Sequence, residues 1–134
     1  MLTLGTIVIG ARDVTRATQF WAGALDLTAG DPHGDNDFTN LHSSDGRPLL
    51  SIQQSEHDAE REPRLHLDLY SRDRADQTSE VDRLVGLGAN RVEWDNYPDD
   101  SDFVVLADTE GNLFCVIDNA SAPEVFRLTL PAED

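Results

Sequence analysis

The chain has 134 residues, and its 26 acidic against 10 basic residues give a formal net charge of −16. Nucleic acids and anionic membranes bind basic surfaces, so we expect neither as a partner. All 10 basic residues are arginines, and without a lysine the chain cannot hold pyridoxal phosphate as a Schiff base.

The length permits one hydrophobic core and is too short for two independent domains. No apolar run approaches the roughly 20 residues of a membrane span. Residues 2–9 lack a basic leader and a small-residue cleavage site, so a signal peptide is not expected. Cys115 has no partner cysteine for an intrachain disulfide, which favours a reducing compartment. We therefore expect a cytoplasmic, single-domain protein.

The first half of the chain reads as a strand, a helix and three strands. Residues 4–10 alternate and are rich in β-branched side chains, which predicts a strand. Asp13 is a candidate helix N-cap, and an apolar stripe at helical spacing continues to residues 25–26. The other predicted elements are a short strand to about residue 29, a loop at 30–37, and a hairpin with strands at 38–43 and 48–53.

The second half repeats this order after a polar, non-periodic stretch at 54–63, which we interpret as a linker. Asp73 is the second N-cap candidate, and Gly88 is suited to end that helix in a left-handed conformation. The predicted strands of this half are 64–70, 89–94, 103–107 and 112–117, with a loop at 95–102.

The duplicated order indicates an internal repeat. Asp13 and Asp73 are 60 positions apart, and Gly46 and Gly111 are 65 apart. Such self-similarity describes the whole fold. It predicts an α+β protein of two tandem βαβββ modules, whose curled mixed sheets enclose a central cavity. The predicted boundaries are 1–55 for module 1, 54–63 for the linker, 64–120 for module 2, and 121–134 for a C-terminal extension in which an alternating stretch predicts a short added strand.

The chain resembles the vicinal oxygen chelate superfamily, and specifically its glyoxalase/bleomycin resistance/dioxygenase members. The resemblance covers roughly residues 2–119 and implies the same tandem fold and a homodimer. The matching segments are 5–9 before Asp13, Phe20-Trp21 in the first helix, 66–69 before Asp73, 87–89, and 104–108 leading into 110–115.

The resemblance also implies where a metal would bind. Metal-using members place His, Gln or Glu ligands at four strand positions, which match Thr6, Leu50, His66 and Cys115 here. Thr6 is a weak donor, Leu50 is no donor, and Cys115 replaces the carboxylate that the family often carries. An iron facial site needs two histidines and a carboxylate, and zinc needs three or four ligands. We therefore expect no metal cofactor, with His66 and Cys115 as the candidates if a divalent metal does bind.

Strand alternation predicts which side chains line the cavity. A mainly apolar cavity with a few polar groups is typical of a small-molecule site. Each residue also has a plainer interpretation: His66 and Asp68 can face water, Cys115 can be an inert packing residue, and Trp94 can pack at the rim. The predicted lining residues are Thr6, Val8, His42, Leu50, His66, Asp68, Tyr70, Leu113 and Cys115, with Trp94 and Tyr97 at the mouth.

Three functions are compatible with these features. The first is a non-metal module that binds a small, partly apolar organic molecule, the class to which antibiotic-sequestering relatives belong. The second is a glyoxalase-like lyase or isomerase, with His66 as general base or as a ligand of an atypical metal. The third is an interaction protein whose acidic surface selects a basic partner.

Overall fold

The structure is a computed structural model that describes residues 1–132; Glu133 and Asp134, the end of the predicted C-terminal extension, lie outside the described residues. Two helices and eight strands form two successive βαβββ modules, which confirms the predicted fold. Module 1 contains β1 (Ile7–Ala11), α1 (Val14–Leu25), β2 (Thr28–Ala29), β3 (Phe38–His42) and β4 (Pro48–Gln54). Module 2 contains β5 (Leu67–Ser71), α2 (Arg74–Leu87), β6 (Asn90–Arg91), β7 (Phe103–Ala107) and β8 (Leu113–Asp118), and a 3-10 turn (Glu124–Phe126) follows.

Both sheets have the same topology. The strand order is β1-β4-β3-β2 in sheet A and β5-β8-β7-β6 in sheet B. In each sheet the first strand pairs in parallel with the fourth, and the other pairs are antiparallel. The helix covers one face of its sheet and leaves the other face free, so each module has one side on which a ligand can lie.

The repeat extends to individual hydrogen bonds in the turn between the third and fourth strands. In module 2 the Asp108 N–H donates to the Asn112 carbonyl, and the Gly111 N–H donates to the Asp108 carbonyl. Ser43 makes the same two bonds with Arg47 and Gly46 in module 1. Gly46 and Gly111 have φ of 83° and 88°, a region that glycine enters without steric cost.

The two modules share one core. The aromatic rings of Phe20 and Trp21 on α1 lie 6.1 Å and 5.2 Å from Phe114 on β8. All three side chains are at most 2% exposed. Helix α1 therefore packs on a strand of the other module as well as on its own sheet.

Side chains of module 2 also hold both ends of α1. The Asp13 carboxylate caps the helix by accepting from the Arg16 N–H at 3.0 Å, as predicted. Glu110 then accepts from the Asp13 N–H and from the Arg16 guanidinium at 2.8–3.1 Å. At the other end, Arg83 donates to the carbonyls of Gly23 and Ala24. Anions at the helix N-terminus and cations at its C-terminus are favourable for the helix dipole.

Glu110 should make the free energy of unfolding depend on pH in the acidic range. Burial raises the pKa of its carboxyl, but the bonds from Arg16, Asp13 and Thr109 outweigh burial and lower the pKa from 4.5 to about 2. A depressed pKa contributes stability that is complete above the unfolded value and is lost as pH falls towards 2. Because Arg16 is exposed, we discount the contribution to about 2 kcal/mol.

The measurement is urea unfolding at several pH values between 7 and 2. Glu110→Gln should lower the unfolding free energy at pH 7 by about 2 kcal/mol and should flatten its decline below about pH 4.5. Glu56→Gln is the control, because Glu56 is 81% exposed and its contacts, a 3.7 Å ion pair with Arg12 and a hydrogen bond from Gln54, lie on the surface. Equal pH profiles for the Glu110 variant and the unaltered chain would refute this role.

Four predicted elements differ from the structure. Strands β1 and β5 begin at Ile7 and Leu67 rather than at residues 4 and 64, and β6 has two residues where six were predicted. Beyond β6 the Val105 N–H donates to the Tyr97 hydroxyl at 2.7 Å instead of to another strand. The added strand after residue 121 is wrong within the described residues, because Arg127 donates to the Ala122 carbonyl and folds the segment into a turn. Neither helix within residues 1–132 has the length and apolar character required to cross a membrane.

Candidate functional site

The free face of sheet B carries the candidate site. Asp68 on β5 lies beside Cys115 on β8, and Cys115 lies beside Val105 on β7. The next row towards the sheet end is Tyr70, Ile117 and Phe103. Since side chains of paired residues point to the same face, these two rows form one continuous surface away from α2.

A cavity of about 540 Å³ lies on this surface. Alternate positions of β7 and β8 supply its apolar floor, and the segment after β6 supplies Trp94 and Asn96. Tyr97 stacks on Phe103 with ring centroids 5.3 Å apart, which fixes that segment beside the sheet. The lining residues are Glu62, Pro63, His66, Asp68, Trp94, Asn96, Phe103, Val105, Leu113, Phe114, Cys115 and Ile117.

Three polar side chains cluster at one side of the cavity. His66 Nε2 lies 3.0 Å from Asp68 Oδ1. The donor atoms of His66, Asp68 and Cys115 all lie within 4.8 Å of one another. An imidazole that donates Nε2–H to a carboxylate keeps Nδ1 as a base. The pair is 45% exposed on both side chains, so it can reach a bound molecule.

Cys115 is a neutral thiol in this setting. Burial, and then the charge and hydrogen bond of Asp68, raise its pKa to about 12. Nucleophilic cysteines need the thiolate and have a lowered pKa. The plainer interpretation of Cys115, a packing residue at the cavity wall, therefore fits the metal-free site better than a nucleophile does.

The predicted lining residues of module 1 do not join this cavity. Thr6 Oγ1 lies 2.9 Å from Ser51 Oγ, and Ser51 donates to Asn40 Oδ1 at 2.5 Å, so these groups satisfy one another on sheet A. His42 is half-buried on β3 of the same sheet. Val8 lines a smaller cavity of about 170 Å³ between β1 and β5, which it shares with His66.

The predicted residues of module 2 are divided between two places. The cavity of about 540 Å³, called the main cavity below, is lined by His66, Asp68, Trp94, Leu113 and Cys115. Tyr70 lines a separate groove of about 620 Å³, where Leu49 of module 1 and Leu128 of the C-terminal segment also lie. The predicted lining residues are thus distributed over three cavities, and the cavity that holds the polar side chains lies on module 2 and the linker.

Leu50 is a correction. It was predicted to face the cavity, but its side chain is 3% exposed and belongs to the core under α1. Its neighbour Ser51 occupies the free face. From Leu50 to Gln53 apolar and polar residues alternate in β4, which places Leu50 on the buried face with Ile52. The match to the family motif assigned Leu50 to the cavity against this alternation, and a shift of one residue moves Ser51 to that position.

Several residues that line the cavity were not predicted from the sequence. Phe103, Val105 and Ile117 were detectable, because alternation along β7 and β8 places them on the same face as Cys115. Glu62 and Pro63 were not, since they lie in the non-periodic linker, and only the folded chain brings that linker over sheet B.

The four positions that the resemblance assigns to a metal do not form a donor set. Leu50 is in the core, and Thr6 is bonded to Ser51 on sheet A. His66 and Cys115 remain, and two ligands are fewer than any zinc site uses. An ion at those four positions would therefore lack a sufficient set of protein ligands.

Comparison with known proteins agrees with this architecture. The model of the Glyoxalase-like domain family matches residues 6–117. No curated protein matches the chain in sequence. The fosfomycin resistance protein FosX of Mesorhizobium loti is 20% identical, with a TM-score of 0.64 over 93% of this chain and 95% of its own.

Two further solved structures are similar. A single-site variant of FosX from Listeria monocytogenes, complexed with Mn(II) and 1S,2S-dihydroxypropylphosphonic acid, is 15% identical, with a TM-score of 0.66 over 87% of this chain and 92% of its own. A glyoxalase-related enzyme from Fulvimarina pelagi is 14% identical, with a TM-score of 0.66 over 92% of each chain. At these identities the likeness concerns the fold alone, whereas the family model covers most of the sequence. The chain belongs to the Glyoxalase-like domain family.

Proposed function

We propose that the protein binds a small, partly apolar organic molecule in the cavity of module 2. The observation that carries this proposal is the cavity itself, about 540 Å³ in volume, with an apolar floor and a polar cluster at one side. This volume lies within the range of about 300–1,000 Å³ that small-molecule sites occupy.

The apolar wall supplies the affinity. Trp94, Phe103 and Ile117 present two aromatic rings and a branched side chain to the cavity. Burying about 150 Å² of apolar ligand surface contributes about 4 kcal/mol before the entropy of binding is subtracted. A flat aromatic or compact aliphatic body would use this wall, and a polar group would point to His66 and Asp68.

The charged groups supply the selectivity. Glu62 and Asp68 line the cavity, and among the described residues no arginine lies in its wall. A carboxylate or phosphonate would meet negative charge without a counter-charge, whereas an ammonium group would meet carboxylates and the faces of Trp94 and Phe103. When no metal ion is bound, the preferred ligand is therefore neutral or cationic, and the screen below uses chelator-treated protein for that reason.

The test is a thermal-shift and calorimetric screen of chelator-treated protein with size-matched pairs of aromatic amines and aromatic acids. We expect the amines to raise the melting temperature and the aromatic acids to leave it unchanged, as should the aliphatic phosphonate fosfomycin tested beside them. Asp68→Asn should remove the preference for amines. Asp45→Asn, which replaces an exposed carboxylate in the turn between β3 and β4, is the matched control and should retain the preference. Equal stabilisation by acids and amines, or by neither, would refute the proposal.

The second candidate is a glyoxalase-like lyase or isomerase. It is favoured by the 3.0 Å contact between His66 and Asp68, since an oriented imidazole can remove a proton from carbon next to a carbonyl. On a substrate found in the binding screen, His66→Ala should abolish turnover while leaving binding within a few fold. Unchanged turnover in that variant would exclude His66 as the base.

A further inference from the structure

The polar cluster of module 2 has the composition of a metal site that differs from the one the resemblance implies. His66 contributes an imidazole nitrogen, Asp68 a carboxylate oxygen and Cys115 a sulfur, all within 4.8 Å of one another. Asp68 is not among the four matched positions, and none of these three donors comes from module 1. The set is complete within β8, β5 and the residue that precedes β5.

The spacing suits a small ion. Zinc bonds of about 2.0–2.3 Å place two tetrahedral ligand atoms about 3.4 Å apart. His66 Nε2 and Asp68 Oδ1 are already 3.0 Å apart. Asp68 lies directly beside Cys115 in the register of β5 and β8, and all three donor atoms already lie within 4.8 Å of one another.

The surroundings also suit an ion with one open position. Val105 lies beside Cys115, and Phe103 and Ile117 form the next row of the floor. These apolar side chains line the same cavity as the three donors. Three protein ligands with a fourth position open to a cavity is the arrangement of catalytic rather than structural zinc.

We propose that His66, Asp68 and Cys115 bind one divalent cation, preferably zinc, at the polar end of the cavity. A thiolate ligand selects zinc over the harder manganese and magnesium ions. The site deepens the proposed function, because the open position would receive a polar atom of the organic ligand. Ion binding itself does not depend on that ligand and is measured without it.

The test is a titration of the chelator-treated full chain with Co(II) and then Zn(II), followed by absorbance and equilibrium dialysis. We expect one Co(II) per chain with a thiolate-to-cobalt charge-transfer band, and displacement of the cobalt by zinc. Manganese should bind more weakly than zinc by on the order of 100-fold or more.

Two variants test the thiolate and carboxylate ligands, and a third is the control. Cys115→Ser should lose the charge-transfer band, and Cys115→Ser and Asp68→Asn should each weaken binding by more than about tenfold. His57→Ala is the control, because His57 is an exposed linker histidine outside the main cavity, and it should bind like the unaltered chain. Circular dichroism of each variant checks that it is folded.

Cobalt binding without the charge-transfer band would overturn the proposal, as would equal affinities for Cys115→Ser and His57→Ala. Either result would mean that the acidic surface binds cations without this site. The screen of amines and acids on chelator-treated protein tests the organic ligand separately, so either proposal can fail without the other.

Discussion

Replacing Asp108 by alanine should lower the free energy of unfolding by about 3–5 kcal/mol, because its carboxylate is a buried acceptor for several donors. Asp108 is 1% exposed. It accepts from the Trp21 indole at 3.0 Å and from the N–H groups of Glu110 and Asn112 at 2.8 and 2.9 Å. Alanine would remove the acceptor of the buried Trp21 indole N–H and of the part-buried N–H groups of Glu110 and Asn112. Urea unfolding followed by circular dichroism measures the change.

The repeat provides a matched control for this variant. Ser43 is the equivalent residue of module 1 and makes the same backbone turn. Its hydroxyl, however, bonds only within the exposed hairpin, to Asp45 and to the Arg47 carbonyl. Ser43→Ala should therefore cost less than about 1 kcal/mol. Similar losses in the two variants would contradict the role of Asp108 as the link between the turn and α1.

Replacing Leu50 by alanine should cost about 2–5 kcal/mol, since it removes a fully packed side chain and leaves a cavity. Leu50 is 3% exposed and pairs with Leu41, which is 0% exposed. Leu49, one position earlier, is 48% exposed on the opposite face of β4. Leu49→Ala should cost less than about 1 kcal/mol.

Thermal and urea unfolding of the two variants, measured side by side, test the register of β4. A larger loss of unfolding free energy for Leu49→Ala than for Leu50→Ala would mean that Leu50 lies on the free face of sheet A. In that case Leu50 would line the cavity, as the resemblance implies. The same result would also place Ser51, and its hydrogen bond to Thr6, on the helix side.

The features that the sequence predicted well are those with strong local signals. Asp13 and Asp73 cap the two helices at the predicted positions, because an aspartate side chain satisfies N–H groups that the first helical turn leaves unpaired. The repeat was visible because glycines at positive φ recur in the same turn of each module. Duplicated turns and caps then determine the order of strands in both sheets.

The features that were not predicted have two different causes. The buried face of Leu50 was predictable, because apolar and polar residues alternate from Leu50 to Gln53, but the match to the family motif assigned Leu50 to the cavity instead. The end of β6 depends on a tertiary contact, since the Tyr97 hydroxyl takes the N–H of Val105 that a longer strand would use. That contact has no signature in a short window of sequence.

The two free faces, although built on the same topology, have diverged. On sheet A the polar groups of Thr6, Ser51 and Asn40 bond to one another. On sheet B an apolar floor and the cluster around Asp68 face a cavity. A self-satisfied polar row offers little to a ligand, whereas an apolar wall with adjacent polar groups is the usual composition of a binding site. The duplication therefore predicts the fold of both modules, and the difference between their free faces indicates which one carries the site.

The most direct test of a ligand site on module 2 is a crystal structure of the chain soaked with the best ligand from the amine and acid screen. We expect electron density for that ligand on the free face of sheet B, between Trp94 and Phe103, with its polar group towards His66 and Asp68. Density on the free face of sheet A, against Thr6 and Ser51, with the cavity of module 2 empty would contradict the account.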